Sequence, residues 1–233
     1  MKLYKVPEKL AASGLAVFTT RDLARLLGIS SGAASVYTHR LKEMEMIYPV
    51  EKGRFSITED SFIVATQVSN PSYLSFSSAF YLHGRLDQVV DSLLVVAARK
   101  KRELNFMNTR INFIKFPPDK LFGYRKHKKG DSFVMLADLE KAAVDSLYRP
   151  RYASFSTVFE ALSGGFDASL FEEYVIKMGS EAVIRRAGYL MEQLGEKTNL
   201  KPSTKVSYHL NPLSRRVEIY ESRWKLYVNE VVG

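Results

Sequence analysis

Apolar positions in the first thirty residues recur with the spacing of an α-helix. The stretch FTTRDLARLLG places Leu23, Leu26 and Leu27 at i, i+3 and i+4, which predicts a short amphipathic helix. Thr20 is the expected N-cap, because its hydroxyl can accept from the free N–H groups of the next turn. Gly28 is expected to end this helix, since glycine adopts a left-handed conformation without a Cβ clash.

A further helix follows in SSGAASVYTHRL, whose first half consists of Ser, Gly and Ala. Ser30 or Ser31 is expected to cap it, and its buried side is expected to carry Ala34, Tyr37 and Leu41 at i, i+3 and i+7. Two short helices joined by a glycine turn predict a helix-turn-helix. The small residues fit tight packing within the domain or close approach to base edges in a DNA groove. We favour packing for Ala34 and the groove for the others.

Two short β-rich runs, MIYPV and GRFSIT, come next and are joined by EKG. Gly53 in this connection predicts a hairpin, which in this position would be a wing with Lys52 and Arg54 on backbone phosphates. With a first helix over 4–12, the pattern predicts a winged helix-turn-helix DNA-binding domain over residues 1–69. The predicted DNA-contacting residues are Thr20, Arg21, Ser30, Ser31, Ala33, Ser35, Val36, His39, Arg40, Lys52 and Arg54.

Residues 70–233 predict an α+β domain in which strands precede helices. The segment SNPSY (69–73) is expected to be a linker, because Asn-Pro breaks whatever precedes it. SFSSAFYLHG then predicts a short helix with His83 semi-buried on its packed face. VVDSLLVVAA, RINFIKF and SFVMLA predict buried strands, and four helices follow from residue 138. Asp167 and Ser180 are expected to cap the last two helices.

Charge indicates a polyanionic partner, because the net charge is +9 and the sequence pI is about 9.5. Residues 71–145 hold 13 basic and 8 acidic residues, the largest local excess. Most of it lies in two runs, RKKR and RKHKK, which fit either solvated loops and strand ends or a phosphate-facing surface. The candidate basic surface comprises Arg99, Lys100, Lys101, Arg102, Arg125, Lys126, Lys128 and Lys129.

The composition disfavours metal and thiol chemistry. Cysteine is absent, and the four histidines lie far apart without the spacing of metal ligands. We therefore expect no metal and no cofactor. No run of about 18 apolar residues appears and the N-terminus lacks the apolar region of a signal peptide, so we expect a cytoplasmic protein without a membrane segment.

The order of four later segments is similar to a known family. They are YLSFSSAFYLHG (73–84), LEKAAVDSLY (139–148), IRRAGYLMEQLG (184–195) and WKLYVN (224–229). Placed after a winged helix, they resemble the AbiEi-type antitoxins of type IV toxin–antitoxin systems, which are linked to abortive phage infection. The resemblance covers nearly the whole chain. Its most specific pieces are Glu140-Lys141-Ala142 with Asp145, and Arg186 with Gly188-Tyr189.

This resemblance implies a repressor that binds repeats in its own promoter and an antitoxin that counters a nucleotidyltransferase toxin. The C-terminal domain would be similar to a reduced nucleotidyltransferase-like fold. We do not expect enzyme activity, because no Gly-Ser pair is followed by the paired carboxylates that hold Mg²⁺. The candidate toxin-countering surface comprises Glu140, Lys141, Asp145 and Arg186. The ordinary alternative is a solvated helix face with an i, i+4 ion pair.

Two further hypotheses stay open beside the antitoxin. One is a winged-helix regulator with a ligand-sensing C-terminal domain and no toxin partner. The other is a nucleic-acid-modifying enzyme, which lacks a visible acid–base or metal constellation in the sequence. Dimers that read two half-sites and monomers bound side by side on repeats both fit the winged helix.

Overall fold

The computed structural model describes residues 3–87, 92–214 and 219–230, which form a mixed α+β fold. Contacts divide the chain into two compact units. The first unit contains described residues 3–74, 92–115 and 126–135, and the second contains the others. The boundary predicted after residue 69 does not coincide with this division, because the first unit also holds strands from later in the chain.

The N-terminal part of the first unit has three helices and a small antiparallel sheet of strand order β1-β3-β2. Strand β1 precedes the second helix and pairs with the hairpin at Val17↔Ser56; the sequence pattern did not predict it. The elements are α1 (Lys5–Ala12), β1 (Val17–Thr19), α2 (Thr20–Leu27), α3 (Ser31–Glu43), β2 (Tyr48–Glu51) and β3 (Arg54–Ser56).

The ends of α2 and α3 follow the sequence signals with one correction. The N-cap of α2 is Thr19, and not Thr20. The Thr19 hydroxyl accepts from the backbone N–H of Asp22 (3.2 Å), while the Asp22 carboxylate accepts from the Thr19 N–H (2.9 Å). Gly28 ends α2 at φ 65°, and Ser30 caps α3 by accepting from the Ala33 N–H.

The side of α3 that faces the core carries Ala34, Thr38 and Leu41, all buried. Tyr37 was expected in this stripe but is only half-buried at its margin. A threonine fits the core position because its hydroxyl donates to the Ala34 carbonyl of the preceding turn (2.9 Å). The surrounding core consists of Val6, Leu10, Phe18, Leu23 and Ile47.

The six-stranded sheet has the strand order β6-β7-β5-β4-β9-β8. Strands β5 and β7 are parallel, whereas β4 and β5 are antiparallel. The elements are α4 (Ser61–Gln67), β4 (Ser72–Leu74), β5 (Ser92–Ala97), β6 (Leu104–Phe106), β7 (Thr109–Lys115), β8 (Tyr124–Lys129) and β9 (Ser132–Ala137). Part of the predicted VVDSLLVVAA strand, residues 89–91, lies outside the described residues.

The linker predicted over residues 69–73 is wrong, because Ser72–Leu74 is a buried central strand. Gln67, at the end of α4, shows why the division between the two compact units does not fall at residue 69. Its side-chain carbonyl accepts from the backbone N–H of Ala16 (3.1 Å), and its amide donates to the Phe133 carbonyl (3.3 Å). One side chain thus joins the N-terminal sheet to strand β9.

The second unit is built on α6, which packs against α5, α7, α8 and α9. Ser180 precedes α9 as expected but makes no side-chain cap hydrogen bond, whereas Asp167 caps α8. His83 is half-buried, as predicted, with Nε2 2.8 Å from the Ala137 carbonyl oxygen. The elements are α5 (Phe76–Leu82), α6 (Leu139–Tyr148), α7 (Phe155–Ser163), α8 (Ala168–Met178), α9 (Glu181–Gln193), β10 (Tyr208–His209), β11 (Ile219–Glu221) and β12 (Leu226–Val228).

A small sheet of strand order β10-β12-β11 covers α9 through the fully buried Trp224. A Cβ added at Gly188 would overlap the indole ring. The indole Nε1–H donates to Glu192 one turn later on α9 (2.7 Å). Gly188 is therefore required for close packing between a helix and an aromatic ring.

We predict that Gly188→Ala lowers the free energy of unfolding by about 1–3 kcal/mol, because the new methyl group displaces the indole ring of Trp224. Thermal and chemical denaturation measure the change. Gly32→Ala is the matched control, since a Cβ added at this helical glycine meets nothing within 4 Å and alanine favours the helix. Equal stability of the two variants would contradict the packing role.

Candidate nucleic-acid interface

The side of α3 opposite the core is exposed to solvent. It carries Ser31, Ser35, Val36 and His39, which the sequence predicted to face a DNA groove. Val36 is 49% exposed, so its methyl groups are accessible to a ligand. This face combines hydroxyl, imidazole and methyl groups, the chemistry that hydrogen-bonds base edges and contacts thymine methyl groups.

The N-terminal end of α3 is suited to an anion. Its first turn contains no acidic residue, and Ser30 at the N-cap is exposed. The Ser35 hydroxyl donates to the Ser31 carbonyl (3.0 Å), so its oxygen lone pairs are directed outward as acceptors. Backbone N–H groups at a helix N-terminus attract phosphate oxygens. Ala33 is half-buried at this end, and its small side chain lets a ligand come close to the helix backbone.

The remaining predicted contacts of this region differ in exposure. Arg21 and Arg40 are exposed, whereas Thr20 is half-buried. The sequence interpretation missed Arg25, whose side chain is 76% exposed with Nη1 4.0 Å from Asp22. The signal was present, because Arg25 lies one turn after Arg21 on the same side of α2.

The hairpin β2–β3 places Lys52 at its exposed tip beside Gly53, which has φ 73°. Arg54 does not extend toward solvent as predicted. Its Nη1 is 3.0 Å from Glu51 and also donates to the Val68 carbonyl, so its charge is already partnered. Of the two residues predicted to contact phosphates, Lys52 is exposed, whereas Arg54 is half-buried and paired with Glu51.

The two basic runs, residues 99–102 and 125–129, lie in different structural elements, and some of their charges are paired with carboxylates. Lys101 pairs with Glu51 of the hairpin (2.6 Å), and Lys129 pairs with Asp60 (2.6 Å). Arg125 Nε is 3.1 Å from Asp138 in the second unit. The second run lies in strand β8 at the edge of the six-stranded sheet. The exposed members of the candidate basic surface are Arg99, Lys100, Arg102, Arg125, Lys126 and Lys128.

The predicted toxin-countering surface is wrong as a surface, because Glu140, Lys141, Asp145 and Arg186 are all buried. Lys141 forms an ion pair with Asp145, which also accepts from the Ser75 hydroxyl (2.8 Å). Burial lowers the pKa of Lys141, and the Asp145 carboxylate opposes this effect. Glu140 accepts from the Asp167 N–H (2.9 Å). These side chains hold α6 in place within the second unit.

Arg185 and Arg186 of α9 are likewise buried and not on a solvated helix face. Arg186 donates to the His209 carbonyl (2.9 Å) and to the Leu147 carbonyl (2.8 Å), which are main-chain acceptors at the ends of β10 and α6. Burial lowers the pKa of Arg186 to about 10. Arg185 donates to the Trp224 carbonyl (3.0 Å). The arginine pair thus binds the C-terminal sheet to the helices.

The described residues contain no group of three or more His, Asp or Glu side chains that could hold a metal ion. No helix in the described ranges has the length and apolar character needed to cross a membrane.

Comparisons with known proteins give no family for this chain. Neither a protein-family model nor a curated protein matches it.

We predict that Asp145→Asn lowers the free energy of unfolding by about 3–5 kcal/mol, because it leaves the buried charge of Lys141 uncompensated. Replacing both partners, as Lys141→Met with Asp145→Leu, is expected to restore part of the loss. Denaturant titration measures both effects.

The control for this pair is Glu173→Gln, which removes an exposed carboxylate of α8. Its stability is expected to stay within about 0.5 kcal/mol of the parent protein. An Asp145→Asn variant as stable as this control would show that the buried pair is not structural.

Proposed function

We propose that the protein is a DNA-binding transcriptional regulator whose N-terminal residues act as a winged helix-turn-helix. The observation that carries this proposal is the exposed outer face of α3. The element order α1-β1-α2-α3-β2-β3 supports it, because a helix pair followed by an antiparallel hairpin is the arrangement of that class. In this proposal α3 enters the major groove and the hairpin contacts the adjacent backbone.

The charges fit this docking direction. Lys52 at the hairpin tip and Arg21 and Arg25 on α2 are exposed cations, suited to phosphates on either side of the groove. Ser35 and His39 lie between them in sequence on the outer face of α3 and would contact base edges. Sequence selectivity would therefore depend on α3, and general affinity on the flanking cations.

We predict that the protein binds duplex DNA from upstream of its own gene with sequence selectivity and strong salt dependence. His39→Ala should change the sequence preference, because it removes a candidate base contact. Lys52→Ala should weaken binding to all duplexes alike and reduce the salt slope by about one, because it removes a phosphate contact. Fluorescence anisotropy at several salt concentrations measures both effects.

Lys197→Ala, an exposed charge deletion in the second unit, is the matched control and should bind like the parent protein. Equal affinity for the upstream duplex and for a shuffled duplex of the same composition would overturn the proposed regulator.

We further propose that the protein represses a toxin–antitoxin operon and counteracts a nucleotidyltransferase toxin. The support is the order of sequence segments that resembles the AbiEi-type antitoxins. In the structure Glu140, Lys141, Asp145 and Arg186, from the most specific of these segments, are buried, so a toxin contact would use other, exposed residues. The resemblance therefore supports a shared second-unit architecture more directly than a shared binding surface.

Co-expression with a nucleotidyltransferase encoded by the adjacent gene is predicted to restore growth of the host. The His39→Ala and Lys52→Ala variants should restore growth equally, because their changes lie in the candidate DNA interface. Growth is measured at matched protein levels from a promoter that the protein does not control. Persistent growth arrest with full-length protein present would reject the antitoxin role.

A cavity of about 510 Å³ in the first unit supports a second candidate, a ligand-responsive regulator without a toxin partner. Its apolar walls include Ala11, Ile57 and Ile63, and its polar groups include Glu8 and Asp131. This volume is within the range of small-molecule sites. The sequence pattern suggested such a sensor in the C-terminal domain, whereas this cavity lies beside α1.

A further inference from the structure

The C-terminal sheet of the second unit presents one aromatic residue from each of its three strands. His209 of β10 pairs directly with Tyr227 of β12, and Tyr220 of β11 pairs with the same Tyr227. Because residues directly opposite one another point to the same side of a sheet, the three rings form a row across the strands. We call His209, Tyr227 and Tyr220 the aromatic row.

The geometry of the aromatic row is regular. The ring centroids of His209 and Tyr227 are 5.2 Å apart, and those of Tyr220 and Tyr227 are also 5.2 Å apart. The successive interplanar angles are 32° and 49°. Tyr220 is 49% exposed and Tyr227 is 37% exposed, and His209 is exposed as well. Large aromatic side chains lying together in solvent indicate a binding surface.

The opposite side of the same sheet is packed at Leu226, in the middle strand, whereas Ile219 on the edge strand is exposed. Leu226, the neighbour of Tyr227, is fully buried, as is Trp224 just before it. Arg186 of α9 donates through Nε and Nη2 to the backbone carbonyl of His209 (3.2 and 2.9 Å). Buried contacts beneath β12 and at the His209 backbone therefore preorganise the row.

Lysines and carboxylates both lie next to the strands that carry the aromatic row. Lys205 is exposed, and Lys225, two residues before Tyr227, donates to the carbonyl of Thr204 (3.1 Å). Glu181 accepts from the Thr204 N–H (3.2 Å), and its charge is paired with Arg185 (2.7 Å). The carboxylate of Glu221 accepts from the backbone N–H groups of Arg223 (3.1 Å) and Trp224 (2.6 Å), which engages its charge in the turn. Lysines beside exposed rings favour an anionic partner over a basic or a neutral apolar one.

We propose that the aromatic row is a stacking platform for unpaired bases of a single-stranded nucleic acid, with Lys205 and Lys225 on its phosphates. Exposed aromatic rings on a small sheet offer π-faces to successive bases, and nearby cations follow the backbone. Stacking of this kind tolerates any base sequence, so the site differs in kind from the candidate duplex interface on α3. The proposal does not depend on the proposed regulator.

The test is binding of fluorescein-labelled 12-nucleotide single strands, oligo-dT and oligo-U, by anisotropy at low and high salt. The full-length protein should bind at least one of the two strands, and comparison of the two identifies DNA or RNA as the better ligand. Tyr220→Ala with Tyr227→Ala should weaken that binding at least about tenfold, because each lost ring removes a base stack. Tyr220→Phe with Tyr227→Phe keeps the rings and should retain affinity.

Tyr4→Ala removes an exposed tyrosine of the first unit and is the matched control. Lys52→Ala, which tests the duplex interface, should leave single-strand binding unchanged. Failure of the single-strand proposal can therefore be distinguished from failure of the duplex proposal. Circular dichroism and thermal unfolding should show that the exposed double alanine variant is folded. Single-strand binding that is absent in the parent protein, or equal in the double alanine variant, would overturn the proposal. If the double alanine variant loses self-association or toxin binding but binds single-stranded nucleic acid as the parent protein does, the aromatic row would instead be assigned to a protein partner.

Discussion

Packing of α3 against α2 is the constraint on which the candidate DNA interface depends. Ala34, Thr38 and Leu41 occupy the core side of α3, and the 3.6-residue period then directs Ser35 and His39 away from it. A small residue at Ala34 and a self-satisfied hydroxyl at Thr38 allow this packing without an unpaired polar group. The outer face of α3 is thus rigidly held while its side chains remain accessible.

Buried charge organises the second unit. Lys141 and Asp145 neutralise each other inside the helical layer, and Arg186 joins α6 and α9 to the C-terminal sheet through main-chain carbonyls. Desolvated charges are costly unless they are paired and hydrogen-bonded, and these charges have such partners within the second unit. The same residues are the most specific part of the resemblance to antitoxins. Their burial means that they form no binding surface.

The C-terminal sheet shows how one element can serve packing and recognition together. Strand β12 alternates between the buried Leu226 and the exposed Tyr227, following the period of two that every strand imposes. Gly188 on α9 permits the close approach of Trp224 and thereby of the entire sheet. The buried Trp224 and Leu226 thus help to fix the spacing of the exposed rings. Recognition chemistry on such a sheet needs little additional ordering when a ligand binds.

Local elements whose signals lie within one turn could be predicted from the amino-acid order alone. It located the end of α2 at Gly28, narrowed the cap of α3 to Ser30 or Ser31, and placed Ser31, Ser35, Val36 and His39 on the exposed side of α3. Helical period and capping are short-range properties. Long-range packing decided which charged groups remain accessible. Arg54, Lys141 and Arg186 look like surface residues in sequence, yet Arg54 donates to the Val68 carbonyl, and the fold buries Lys141 and Arg186. Likewise, only long-range pairing made Ser72–Leu74 a central strand and aligned His209, Tyr227 and Tyr220, since strand neighbours are chosen by the whole fold and not by local propensity.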